Sequence, residues 1–298
     1  MKKKVLAAVG ISGLLMAGGV LSASAESSGY DLFKTAVKKT HKVSSFTAHV
    51  QASLEDNGKE VYTADSLNLV NLKDDASRST ISINNGGGST NVDFYSKDHQ
   101  SVVKSSKDDN YYVKQEKESK SESKDEEQND ELSPAMQKDV EAIFDALTKN
   151  YQNSITTNDL GNGKTELQLD LSKNQIPAVG QAVVSFFLKN IDQQKEHMDK
   201  QEFGSLQFSD LKPQLPLLKN NISVSSVSLK GQVDNDQYLV GQEAIISVAG
   251  DDVNGVHHDL VLNLTSSLDK LNNSEVTNLD LNGKAVVNVK DVHEGNED

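Results

Sequence analysis

The sequence predicts an α+β protein in which a curved antiparallel sheet lays its apolar face against helices. Three observations predict it. From Ser45 to Glu55, the residues Phe46, Ala48, Val50, Ala52 and Leu54 alternate with Thr47, His49, Gln51 and Ser53, the two-residue period of a strand with one buried and one wet face. Runs of the same kind recur between clusters of Asn, Asp and Gly, at the spacing of an antiparallel meander. Two segments, around Phe144 and Phe187, carry their apolar residues at helical spacing instead and supply a cover for the sheet.

The first element is an address. Lys2, Lys3 and Lys4 precede an apolar stretch from Val5 to Leu21 and the small-x-small pattern Ala23-Ser24-Ala25. That order predicts a cleaved export signal over residues 1–25, with Glu26 as the new terminus. A membrane anchor is the alternative, but the stretch is at the short limit for a span and a cleavage pattern follows it at once. The expected product is secreted or held outside the cytoplasm, and the lysine-rich start suits a Gram-positive host. A helix is then predicted from Ser28 to Lys42, with Leu32, Phe33, Ala36 and Val37 on one face and Lys38, Lys39 and Lys42 in its last turns.

The strand beginning at Ser45 ends in Asp56-Asn57-Gly58-Lys59, a tight hairpin turn. The return strand holds Val61, Thr63 and, after a shift, Leu67, Leu69 and Leu72. Strands follow at Ser79 to Ile83, Asn91 to Tyr95, Ser101 to Lys104 and Tyr111 to Gln115. Composition then changes. Glu116 to Glu131 holds eight acidic residues, three lysines and no apolar residue. The reading is a disordered, solvated insertion over 116–132; calcium binding is the alternative, but no EF-hand spacing is present.

Ser133-Pro134 opens a helix whose stripe is Val140, Ile143, Phe144, Leu147 and Tyr151. A hairpin follows, Ile155 to Leu160 and Thr165 to Leu171, joined through Gly161-Asn162-Gly163. Ile176-Pro177 starts another helix, with Val179, Val183, Val184, Phe187 and Leu188. After Pro213 and Pro216, Ile222, Val224 and the shifted Val227 and Leu229 form one strand or two short ones. Tyr238 to Val248 and Val256 to Leu264 come next, and Leu279 to Val289 folds back through Asn282-Gly283. The expected organisation is one domain over 26–290 with a disordered tail at 291–298.

Composition narrows the chemistry. The 298 residues include 44 Asp and Glu against 30 Lys and Arg, a net charge of −14, which argues against a nucleic-acid partner. With no Cys, disulfides, thiolate nucleophiles and zinc-thiolate sites are excluded. On a strand, His257 and Asp259 of His257-His258-Asp259 would share a face. A metal site is conceivable there, but no third ligand is identifiable, and exposed strand residues are the favoured reading. No G-x-S-x-G elbow or P-loop occurs. The chain is expected to be no enzyme and to carry no cofactor.

The exported start, the strand and hairpin KVSSFTAHVQASLEDNGKE, then NVDFYSKDHQ, NYYVKQEK and the late ISVSSVSLKGQVDNDQYLVGQEAIISVAG give an order that resembles the LolA-like and LppX/LprG-like superfamily over residues 28–268. That resemblance implies a half-barrel sheet wrapped around helices, with a hydrophobic cavity for lipids or lipoprotein acyl chains. The chain departs from it in having no lipobox cysteine. The function expected is a cell-envelope protein that binds a lipid or other hydrophobic ligand, with an envelope protein as a further partner and nothing spanning the membrane after cleavage. Val140, Phe144, Leu147, Val183, Val184 and Phe187 are the ligand-facing residues on this reading, and equally plain core on the other. The alternative is an extracytoplasmic interaction or sensor module with a filled core.

Overall fold

A computed structural model describes residues 29–115, 151, 154–178, 181, 206, 211, 213 and 215–289. The export signal, the acidic insertion, the tail and the six ligand-facing residues Val140, Phe144, Leu147, Val183, Val184 and Phe187 lie outside these. Among the described residues there is one helix, α1 (Gly29–Thr40). Twelve strands follow in chain order: β1 (Ser45–Asp56), β2 (Lys59–Asn71), β3 (Ala76–Asn84), β4 (Ser89–Lys97), β5 (Gln100–Ser105), β6 (Tyr111–Gln115), β7 (Thr156–Gly161), β8 (Lys164–Ser172), β9 (Asn220–Val233), β10 (Leu239–Asp251), β11 (His257–Asp269) and β12 (Val286–Asn288). They make one open, curved sheet in the order β12-β6-β5-β4-β3-β2-β1-β11-β10-β9-β8-β7. Every pairing is antiparallel except β12 alongside β6. The sheet is therefore two meanders joined where β1 pairs with β11.

The β1–β2 hairpin forms because Asn57 (φ 52°) and Gly58 (φ 76°) accept the two left-handed positions of a type I′ turn. Asp98 (φ 51°) and His99 (φ 60°) make the same kind of turn between β4 and β5 without a glycine. His99→Gly is expected to stabilise the fold by roughly 0.5 kcal/mol, the relief of the left-handed residue less the added entropy of the unfolded chain. Urea unfolding checks this; an unchanged or lower midpoint contradicts it. In the β7–β8 turn Gly163 takes a φ of +74°, which favours glycine, and a Cβ there would make the exposed Asn235 side chain move aside.

Alternation decides the two faces. In β1 the even residues turn inward, Ala48, Val50 and Leu54 being buried. In β2 the expected phase is wrong. A bulge at Val61, where Leu54 pairs with Tyr62 and Glu55 with Glu60, puts Tyr62, Ala64, Ser66, Asn68 and Val70 inside. Leu67 is left 45% exposed on the outer face. In β9 the shift between Val224 and Val227 is a bulge at Ser225 within one continuous strand. The C-terminal stretch also differs from expectation. The turn at Asn282-Gly283 forms, but Val276, Leu279 and Leu281 pack on the outer-face residues Tyr95, Val102 and Val113, and only β12 joins the sheet.

Among the described residues the inner face is covered at two opposite ends and, over β4–β6, by Leu206 against Val92, Val103 and Tyr112. At the β1–β2 turn end, Leu211, Leu215 and Leu218 lie against Leu54, Tyr62, Ile83, Val224, Val248 and Leu260. The Tyr62 hydroxyl donates to the Leu211 carbonyl at 3.0 Å, and burial raises its pKa. At the other end, α1 lays Ala36 and Val37 on Leu167, Val233 and Leu239. Its last turn is held by the Leu239 N–H donating to the Thr40 hydroxyl at 2.8 Å, and by the Lys39 ammonium 4.4 Å from the Tyr238 ring centre.

Candidate functional site: the inner face of the sheet

The inner face is built by register. Leu171–Val227–Ile246–Leu262–Leu54 and Leu169–Leu229–Ala244–Leu264–Ala52 are two rows of directly paired residues crossing β8, β9, β10, β11 and β1. Side chains paired this way stand on one face, about 5 Å apart. Both rows are aliphatic throughout. Their cover is uneven: Leu54, Ala244 and Leu169 are buried, Ile246, Leu262 and Leu264 are half-buried, and Leu229 is 38% exposed. An aliphatic surface on the inside of a curved sheet, open at Leu229, can hold a hydrocarbon chain by excluding water and by dispersion, with no demand for polar geometry.

Across the seam, on β2 and β3, the same face becomes polar. Asn68 pairs with Ser79 and Ala48, Ser66 with Ile81 and Val50, and Ser77 with Val70. Ser66, Asn68, Ser77 and Ser79 are all buried, none more than 3% exposed. The Asn68 amide nitrogen donates to the Ser66 hydroxyl at 3.0 Å and to the Ala48 carbonyl at 3.5 Å. The Ser77 hydroxyl has no hydrogen-bond partner. Sequence reasoning missed this patch because Leu67 and Leu69 suggested the opposite phase. Only the bulge at Val61 reveals it, and no sequence signal marks that bulge.

The outer face carries the charge. Lys230 and Glu243 pair at 3.0 Å, and His49 and Gln51 both reach the Asp65 carboxylate, at 3.0 and 2.7 Å. A polar recess of ≈ 250 Å³ lies among Lys164, Glu166, Lys230, Gln232, Glu243 and Thr265. The histidine pair sits at the β10–β11 turn. His257 and Asp259 do share the outer face, 3.6 Å apart, while His257 Nδ1 is 2.8 Å from Asp251. His258 lies on the opposite face and meets Asp56 at 2.9 Å. Among the described residues, no group of three His, Cys, Asp or Glu is arranged to hold a metal ion.

The hydrogen bond to Asp251 raises the His257 pKa, with Asp259 adding to it, and the same bond lowers that of Asp251. The imidazolium thus contributes stability below its unfolded value of about 6.5 and loses it as pH rises through the higher folded value. The Asp251 carboxylate contributes above its unfolded value and loses this as pH falls through its lowered one. His257→Ala is therefore expected to be more damaging near pH 5.5 than above about pH 8.5. Thermal unfolding at the two pH values checks this, and equal losses contradict it.

Among the described residues, no helix is long and apolar enough to cross a membrane. No protein-family model matches the chain, and no curated protein matches it. Among solved structures, a match is the crystal structure of the ywiB protein from Bacillus subtilis, at 10% identity, over 75% of this chain and 91% of that one, with a TM-score of 0.16. So low a score carries nothing about fold or function.

Proposed function

We propose that the protein is an exported, non-enzymatic cell-envelope protein of LolA-like α+β type that binds a lipid or other acyl-chain ligand on the inner face of its half-barrel sheet. The observation that carries this reading is the aliphatic row Leu169–Leu229–Ala244–Leu264–Ala52, unbroken across five strands and open to solvent at Leu229. Leu229, 38% exposed, is the point at which a ligand's chain would meet the row. On the outer face His49 pairs with Asp65 and Lys230 with Glu243.

The helices expected around Phe144 and Phe187 complete the wall of such a slot on this reading. The test is native mass spectrometry of the protein purified from its own host under mild conditions. Added mass that fragments to acyl chains supports the carrier. Bare protein that also binds no fluorescent fatty-acid probe refutes it.

A second reading, a recognition module with a filled core, draws on β7. All six of its residues are exposed and it forms one edge of the sheet. An open edge can accept a partner's strand. In the same experiment this reading predicts bare protein.

A further inference from the structure

The outer face of the sheet holds a feature that the carrier reading does not use. In β10, Gly241 and Glu243 are on the face opposite Ala244, and Gly241 follows a bulge at Val240, which has no partner in β9. A bulge and a missing side chain at one place lower the surface there. The result is the recess of ≈ 250 Å³ between β8, β9, β10 and β11. The φ of Gly241 is not left-handed, so the usual turn reason for glycine does not apply. A Cβ there would stand 3.2 Å from that of Gln232, a contact a small shift relieves. Glycine inside a strand also marks a place where something approaches the backbone closely.

Charge is divided across this recess. Lys230 and Glu243 pair with each other at 3.0 Å and close one wall. Beyond the row Glu166–Gln232–Gly241–Ser267, on the side away from that pair, stand Lys164 of β8 and Asp269 of β11. Neither side chain has a hydrogen bond or an ion pair among the described residues. Two strands lie between theirs, so their backbones are about 14 Å apart, three strand spacings. Side chains that stand off the sheet keep their charges near that separation, too far to pair. Both residues also line an adjoining recess of ≈ 400 Å³.

That arrangement sorts ligands. A simple anion would meet Glu166, Glu243 and Asp269, and a simple cation would leave Lys164 unanswered. No three His, Cys, Asp or Glu among the described residues are arranged to hold a metal ion. A sugar would find no aromatic ring in the lining. A molecule with an ammonium at one end and a carboxylate at the other answers both free charges. Gln232, Thr265 and Ser267 supply an amide and hydroxyls for the part between. Charge-assisted hydrogen bonds of about 2.8 Å at the two ends leave about 8 Å to be spanned. An extended dipeptide spans about 7 Å.

We propose that this recess binds a zwitterionic dipeptide, with its carboxylate on Lys164 and its ammonium on Asp269. The site uses the opposite face from the acyl-chain reading and stands or falls separately from it.

The experiment titrates the protein with alanylalanine, N-acetyl-alanylalanine and alanylalanine amide, following backbone amide shifts by NMR. The two blocked forms each lack one charge. Wild type should bind alanylalanine with a Kd of about 1 mM, the weak affinity of exposed charge pairs, and shift the amides of Gly241 and Ser267. Each blocked form should bind about fivefold more weakly. Lys164→Gln should lose about fivefold for alanylalanine and no longer distinguish it from the amide. Asp269→Asn should do the same with the N-acetyl form. Both variants should keep the wild-type thermal midpoint, because both side chains are exposed and unpaired.

No saturable shift at about ten times the expected Kd overturns the site. So do shifts centred elsewhere, equal binding of free and blocked forms, or variants that still tell them apart. None of these results bears on acyl-chain binding.

Discussion

Leu218→Ala is expected to be among the most damaging single substitutions in the described chain, costing about 3 kcal/mol. Leu218 is 0% exposed and sits where Leu54 and Tyr62 from one half of the sheet meet Val224, Val248 and Leu260 from the other. With Leu211 and Leu215 it covers that end of the inner face. Its removal leaves a cavity where the two meanders meet, beside the β1–β11 pairing. The urea midpoint should fall by about 1 M with little change in slope. Gly250 provides an internal check. A Cβ there would stand 3.1 Å from Leu218 Cδ1 and 3.3 Å from Ile222 Cγ1. Gly250→Ala should therefore be destabilising in the wild type and less so in the Leu218→Ala background, where the added methyl has room. Additive effects in the double variant would contradict this packing.

Leu229→Asp is expected to reduce acyl-chain binding by at least about tenfold while leaving the fold in place. The leucine is 38% exposed without ligand, so an aspartate there keeps water and the ligand-free protein loses about 1 kcal/mol or less. A hydrocarbon chain laid along the row would strip that water from the carboxylate, and no cation stands on the row to replace it: its members are Leu169, Ala244, Leu264 and Ala52. The matched control is Ser267→Asp, on β11 and on the outer face, where the same charge remains wet. Equal losses from both variants would mean that general charge, not the inner face, governs binding.

Much of the sheet was legible because its strands follow the two-residue rule between turns of strong local preference. The Asn57-Gly58 turn and the buried set of β1 are where the alternation puts them, and α1 begins and ends within two residues of its expected span. The errors share one cause. A β-bulge costs little and leaves no compositional mark, yet it inverts the face of every residue beyond it. At Val61 it turned Ser66 and Asn68 inward against the visible preference for Leu67 and Leu69. At Ser225 the apolar residues themselves changed phase, so the shift could be seen in the sequence. The C-terminal stretch misled differently. Leu279 and Leu281 alternate like a strand but are spent covering Tyr95, Val102 and Val113, because the outer face over β4–β6 is itself apolar. Six expected ligand-facing residues lie on segments the structure does not describe, so the candidate site now rests on the sheet alone.

Photo-crosslinking tests most directly whether the inner face is the binding surface. Protein loaded with a diazirine-tagged acyl chain is irradiated, digested and mapped by mass spectrometry at single-residue resolution. Opposite faces of one strand are separated by a single position, so the labelled residues report the face without ambiguity. The account predicts labels on Leu169, Val227, Leu229 and Leu264. Labels on Gln168, Ser228 and Thr265, their outer-face neighbours, would contradict it.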